Sequence, residues 1–495
     1  MLRRRHPSSR LCRRHVMASP FTQGMLTLGT LALACAVTAS ARAQEDDTIE
    51  TPAAPAATRP AIKSNRWQED WSALANPALR TEPLDGLKYI PLDATDAQTY
   101  LSLGLTLRER FEDNEAPLFG IGGRKGDSYV IQRLQTHMDL RIDGHWQLFG
   151  QFEDARAFDK TTLTPADQNQ ADLRQAFVAY SGDLTDDITV KVRAGRQEMG
   201  FDRQRFVSTR DGPNVRQAFD AVWVNVETAP WRIISFWSHP VQYRTGEPFD
   251  DYSNTHLQYG GIRVEHAGVG PGELSAYYSR YQNDTAKYLD ASGLERRDIF
   301  DLRYAGGAAG FDWDVEGMAQ WGSVGPKAVG SWAVGALTGY TLNDVVWTPR
   351  LGLQADAASG DDRPGDGRLG TFNPLFPNGY YFALAGYTGY ANLIHLKPSL
   401  TVKPMPKLSL MTAAGLLWRQ TTADAVYVQP SNAVPGTAGK GTPWTGVYGQ
   451  LRADYAVTAN LTTAVEAVHY AIGDTLRRAG GHDSDYLGIE VKLGW

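Results

Sequence analysis

The chain has 495 residues, 21% of them charged, a formal net charge of −6 and two cysteines, Cys12 and Cys35. That length suits several ordinary domains or one large barrel. After the N-terminal forty-odd residues there is no run of about eighteen apolar residues, which excludes helical membrane spans. The acidic balance argues against nucleic acid as a partner.

In chain order, the first segment reads as an export signal. Arg3, Arg4, Arg5, Arg13 and Arg14 supply positive charge, Met25 to Thr38 forms an apolar core, and Ala41-Arg42-Ala43 is an A-x-A cleavage site. The expected leader is therefore 1–43, with Met17 and Met25 as alternative starts. Its removal takes away both cysteines, seven arginines and no acid, moving the net charge from −6 to about −13. Neither a disulfide nor a thiolate metal site is then available. Residues 44–66 are rich in Pro and Ala and read as a disordered linker. Residues 67–98, with Trp67, Trp71, Leu74 and Leu87-Lys88-Tyr89-Ile90-Pro91, are too aromatic for a linker and are expected to pack as a pre-barrel segment.

From residue 99 to 495 the pattern has period two. Leu101, Leu103, Leu105 and Leu107 alternate with Ser102, Gly104, Thr106 and Arg108; Val190, Val192 and Ala194 alternate with Lys191, Arg193 and Gly195. Helical spacing would not separate residue types in this way. About eighteen such segments occur, each near ten residues long, from 101–111 through 345–356 to 485–495. Connections alternate between tight turns (Asp143-Gly144, Thr228-Ala229-Pro230, Asn343-Asp344, Thr458-Ala459-Asn460) and long loops such as 199–217, 283–297, 357–389 and 420–444. The last segment sets Leu487, Ile489, Val491, Leu493 and Trp495 on one face, with Trp495 expected to point outward. Together these features predict an all-β chain: an antiparallel transmembrane β-barrel of about 18 strands with short periplasmic turns and long extracellular loops. The negative mean hydropathy fits, because lumen and loop residues dilute the lipid face.

With the apolar face toward lipid, parity sends Arg108, Arg110, Lys191, Arg193, Arg303, Arg350 and Arg452 into the lumen, since charge on the lipid face costs several kcal/mol. A guanidinium stays protonated and grips carboxylate through paired donors, so these residues point to an anion-tolerant pore. The bland alternative is that they pair with lumen acids such as Asp139, Asp301, Asp314 and Asp454.

Several segments resemble the alginate export porin family: Trp67-Gln68-Glu69-Asp70-Trp71-Ser72, Leu107-Arg108-Glu109-Arg110-Phe111-Glu112, Leu173-Arg174-Gln175-Ala176-Phe177-Val178, Val192-Arg193-Ala194-Gly195-Arg196-Gln197-Glu198, Asn214-Val215-Arg216-Gln217-Ala218-Phe219-Asp220 and Thr371-Phe372-Asn373-Pro374-Leu375-Phe376-Pro377. The resemblance implies a monomeric barrel conducting an acidic polysaccharide, with Arg110, Arg174, Arg193 and Arg196 as carboxylate contacts. Arg196 lies on the opposite parity unless a bulge intervenes. One departure is Thr458-Ala459-Asn460, which leaves no room for the family's long periplasmic plug near the penultimate hairpin. The loop 357–389 is the alternative candidate for an inward constriction.

Enzyme signals are weak. Gly365 to Gly370 is formally G-x-G-x-x-G but lacks a following helix, and Asp361, Asp362 and Asp366 match no EF-hand spacing. The histidines are scattered without a nucleophile pattern. The expectation is a bacterial outer-membrane porin, not an enzyme, with no cofactor, no catalytic residue and no metal. It would sit in outer-membrane lipid and pass an anionic carbohydrate or small acidic solute by facilitated diffusion. The alternative is a general uptake porin for small nutrients. No periplasmic secretion partner is legible.

Overall fold

The computed structural model describes residues 58–495; the expected leader and the linker up to residue 57 lie outside them. Eighteen strands form one closed antiparallel sheet. They are β1 (Tyr100–Asn114), β2 (Asp127–Ile142), β3 (Trp146–Phe158), β4 (Asn169–Thr185), β5 (Ile188–Gln197) and β6 (Phe219–Thr228). Next come β7 (Trp231–Gln242), β8 (Leu257–Val269), β9 (Gly272–Lys287), β10 (Ser292–Ala308), β11 (Phe311–Val324) and β12 (Lys327–Thr341). The last six are β13 (Arg350–Ala358), β14 (Leu393–Met405), β15 (Leu408–Trp418), β16 (Trp444–Ala456), β17 (Leu461–Ile472) and β18 (Ser484–Gly494). Each pairs with its neighbour in sequence, and β18 closes on β1 from Thr106↔Gly494 to Asn114↔Tyr486. Closure removes every unpaired strand edge, the condition for crossing hydrocarbon with β structure.

Alternation along the strands decides what faces where. Arg108 and Arg110 on β1 are buried while Phe111 is exposed; Met138, Trp146, Leu148, Phe300, Leu302, Val315, Trp332, Leu451 and Ile489 are likewise exposed around the outside. A continuous apolar exterior over a polar interior is the pattern of a barrel in lipid.

One end carries the tight turns, including 143–145, 186–187, 270–271, 406–407 and 457–460; the other carries long loops, notably 198–218, 243–256, 359–392 and 419–443. Two expectations need correction. The loop expected at 283–297 is a tight 288–291 connection, and 325–326 is tight as well, because β9 to β12 run on past the expected ends, pairing through Lys287↔Ser292 and Val324↔Lys327. Residues 345–349 are not strand: Trp347 and Thr348 take left-handed backbone (φ 70° and 45°), so the strand starts at Arg350.

The lumen is filled from both ends. From the loop end, 198–218 and 359–392 turn inward and pair at Val207↔Phe376. Their Phe201, Phe206, Phe372, Phe376, Tyr381 and Phe382 join wall residues such as Trp223, Tyr259 and Tyr448 in one buried cluster. The region 357–389, anticipated as an inward constriction, turns into the lumen. At the turn end the segment 58–98 folds against the barrel mouth in short 3-10 turns (Arg66–Gln68, Ser72–Ala75, Pro77–Leu79). Trp67 and Trp71 are each 1% exposed. Within the stretch expected to be linker, Arg59 is bonded to Asp85 at 2.7 Å, and Arg66 donates to the Trp495 and Leu105 carbonyls at 2.9 and 3.1 Å. Trp495, expected to face outward, has its ring 5.1 Å from the Lys88 ammonium, so the indole serves the mouth segment instead.

Candidate functional site: the arginine-bearing lumen

The inward arginines fall into three settings. In the first, a guanidinium is held among carboxylates. Arg110 lies 2.8 Å from Glu112, 2.6 Å from Glu466 and 3.3 Å from Glu490, donates to the Tyr486 hydroxyl, and lies over the Tyr380 ring. Arg303 bridges Asp202 at 2.8 Å and Asp314 at 2.7 Å; Arg350 pairs with Asp312 at 2.5 Å; Arg452 pairs with Asp454 at 2.7 Å and also with Glu466. Lys191 sits 2.9 Å from Glu227. Such pairs satisfy one another, and their charge is largely spent within the wall.

In the second setting the partners are backbone carbonyls. Arg108 on β1 and Arg133 on β2 face each other directly in the register. Both are almost fully buried. Arg108 donates to the carbonyl of Asp211 at 2.7 Å and to that of Pro213 at 3.3 Å. Arg133 donates to the carbonyls of Pro213 and Asn214 at 3.3 Å and pairs with the Asp211 carboxylate at 2.5 Å. Two adjacent like charges repel, so this arrangement requires dense acceptors, which the inward loop 198–218 supplies. Burial opposes ionisation of Asp211, but Arg133 and Arg216 outweigh it and hold its carboxyl well below the usual range.

In the third, aromatic rings take the face of the cation. The Arg193 guanidinium lies 4.1 Å from the Trp67 ring centre, with Phe177 and Trp223 at 5.4 and 5.6 Å. Trp67 in turn meets Phe177 edge-on at 6.0 Å. Its carbonyl accepts from Arg141 at 2.7 Å and Gln147 at 2.9 Å. The mouth segment thus reaches into the lumen and covers a wall arginine by cation–π contact.

Arg174 and Arg196 show how parity is set. In the pairing of β3 with β4, Gln151↔Gln175 is followed by Phe152↔Leu173, leaving Arg174 as the extra residue of a bulge. The bulge turns Arg174 inward beside Gln175; it is fully buried, 3.1 Å from Glu153, and donates to the Arg216 carbonyl at 2.9 Å. Across Arg196 the register is unbroken (Gly195↔Ala221, Arg196↔Asp220, Gln197↔Phe219). It therefore shares the outer parity of Val192 and Ala194 and pairs with Asp220 at 2.9 Å.

Sequence reasoning passed over several buried interior arginines: Arg133, Arg205, Arg263 and Arg297. Arg133 and Arg263 had a signal, because they share parity with His137 and Asp139 and with Glu265. Arg297 fell just before the expected start of its strand. Arg205 belongs to an inward loop and reaches Asp314 at 2.7 Å and Glu316 at 2.6 Å on β11, a contact that no local pattern announces.

Outside the strands, Lys88 is fully buried between the Trp71 and Trp495 rings, at 5.2 and 5.1 Å. Burial, with the Arg66 charge adding, pushes its ammonium down to about 7.

In fold, the chain is similar to outer-membrane proteins of Pseudomonas aeruginosa. OccK2 (OpdF), solved in complex with glucuronate, is 14% identical with a TM-score of 0.52, over 80% of this chain and 96% of that one. OpdK with vanillate is 11% identical with a TM-score of 0.53, over 80% and 98%. OpdO is 12% identical with a TM-score of 0.52, over 80% and 97%. No curated protein sequence matches the chain. The family profile described as Alginate export matches residues 99–490, and the chain belongs to that family of outer-membrane β-barrel channels.

Proposed function

We propose that this barrel passes an anionic carbohydrate or small acidic solute across the outer membrane by facilitated diffusion, with lumen arginines supplying weak, exchangeable sites. The observation that carries this reading is the Arg108–Arg133 pair, two abutting guanidinium groups held mainly by loop carbonyls. A carboxylate offers those donors the same geometry with a full negative charge, so it competes for them once the loop gives way. Fixed positive charge raises the local concentration of a counter-charged solute, and several modest sites allow it to leave. The ring-covered Arg193 and the bulge-turned Arg174 extend the basic surface along β4 and β5. Passage requires displacement of the inward loops and of the mouth segment.

The test is planar-bilayer conductance with anion/cation selectivity, followed by block with oligouronates. The expected result is anion preference and block, both reduced in Arg108→Ala and Arg133→Ala. A cation-selective wild type, or block untouched by either change, overturns the reading. A second reading, a general uptake pore for small polar nutrients, is favoured by the carboxylate partners of Arg110, Arg303 and Arg452, which leave much of the wall near neutrality. It predicts little selectivity and no uronate block.

A further inference from the structure

At the loop end, two separate stretches bring acidic groups together. Asn169 and Asp172 open β4, and Asp250 and Asp251 belong to the 243–256 connection. One oxygen each from Asp172, Asp250 and Asp251 lies within 4.8 Å of the others. Two ligands on opposite sides of a calcium ion, at 2.3–2.6 Å each, stand about that far apart. The backbone holds the approach in place: Asp251 N–H donates to Asp172 Oδ2 at 3.1 Å, Phe249 N–H to the Ala171 carbonyl at 3.2 Å, and Arg244 N–H to Asp251 Oδ1 at 2.9 Å.

A second observation is independent of the acids. Asn169 is 1% exposed, and its carboxamide lies against the cluster with Nδ2 2.7 Å from Asp251 Oδ2, yet its Oδ1 has no hydrogen-bond partner. Asp250 Oδ1 is buried and unpartnered in the same way. Both orphans are acceptors, and a buried acceptor without a donor is costly. Two guanidinium groups border the cluster, each nearer to another carboxylate. Arg174 is 3.7 Å from Asp251 but 3.1 Å from Glu153, and Arg196 is 3.9 Å from Asp172 but 2.9 Å from Asp220.

We propose that Asp172, Asp250, Asp251 and the Asn169 amide oxygen form a calcium site that ties the 243–256 connection to the start of β4. The donor set is all oxygen, as hard cations prefer, and ligands drawn from two segments suit the loose coordination of Ca²⁺ better than the strict octahedron of Mg²⁺. The site adjoins Arg174, which lies 3.7 Å from Asp251, but its cation binding is measured without reference to transport and so stands or falls independently of that reading.

The experiment uses the full barrel refolded in detergent without lipopolysaccharide, titrated with Tb³⁺ as a luminescent calcium probe. Tyr243, whose ring lies 5.3 Å from the Arg174 guanidinium, is the nearby sensitiser. Saturable emission is expected, displaced by Ca²⁺ and not by equal Mg²⁺. Asp250→Asn keeps the turn bond from Glu247 N–H and should weaken Ca²⁺ about tenfold or more, as should Asp251→Asn. Both variants should retain heat-modifiable gel mobility. If Asp251→Asn does not refold, Asp250→Asn decides alone. No saturable emission from the wild type, or unchanged Ca²⁺ affinity in a folded variant, overturns the site.

Discussion

Replacing Trp67 by Ala tests whether the mouth segment is a working closure. The side chain is 1% exposed, covers the Arg193 guanidinium at 4.1 Å and meets Phe177 edge-on. Truncating a buried Trp to Ala costs about 3–5 kcal/mol. The bonds from Arg141 and Gln147 run to the Trp67 carbonyl, so the substitution leaves those acceptors intact and the loss falls on ring packing. At the lower bound, a loss of about 3 kcal/mol shifts a docked–released equilibrium roughly a hundredfold toward release. Two measurements read this shift: single-channel conductance, which should rise, and tryptic cleavage after Arg66 and Lys88, both buried when the segment is docked, which should accelerate. Wild-type conductance with wild-type cleavage at both positions would refute the closure.

Three further outcomes follow from the same geometry. Lys88 has its pKa lowered from 10.5 to about 7 in the docked segment, so below about pH 7 docked and released forms both carry the proton, and above it only the released form does up to about 10.5. Docking therefore strengthens as pH rises through that window, and conductance should fall between about pH 7 and pH 10, while Lys88→Met should flatten the response. Arg110→Ala leaves Glu112, Glu466 and Glu490 facing one another without their shared cation, so the barrel should lose about 3–5 kcal/mol and unfold at a lower temperature, with Arg110→Lys recovering part of it. Shortening the 359–392 loop to remove Tyr380, Tyr381 and Phe382 should raise single-channel conductance, and unchanged current would mean that this loop does not limit the pore.

The wall of the barrel was readable because lipid and lumen impose opposite demands on alternate residues. Leu101 to Leu107 against Ser102 to Arg108 states that demand without any distant contact. The site was less legible, for two reasons. Parity assumes an unbroken ladder, and the bulge that turns Arg174 inward depends on how β3 happens to pair with β4. Arg196, with the same local resemblance, meets no bulge and stays on the outer parity. The second reason is distance along the chain. Tyr380 reaches Glu112, and Arg205 reaches Asp314, across separations that carry no periodic signal. Hence the arginines could be assigned to the interior from sequence while their occupants (loop carbonyls for Arg108, an indole for Arg193) could not.

Arg66 has one implication for biogenesis. Its guanidinium spans the carbonyls of Leu105 and Trp495, residues at opposite margins of the sheet that also each donate a backbone N–H to the other's carbonyl. The clasp has no second half until the final hairpin has met the first strand. The mouth segment thus cannot lock before the barrel closes, and any load that pulls it free also loosens the stitching at the junction where the cylinder was sealed.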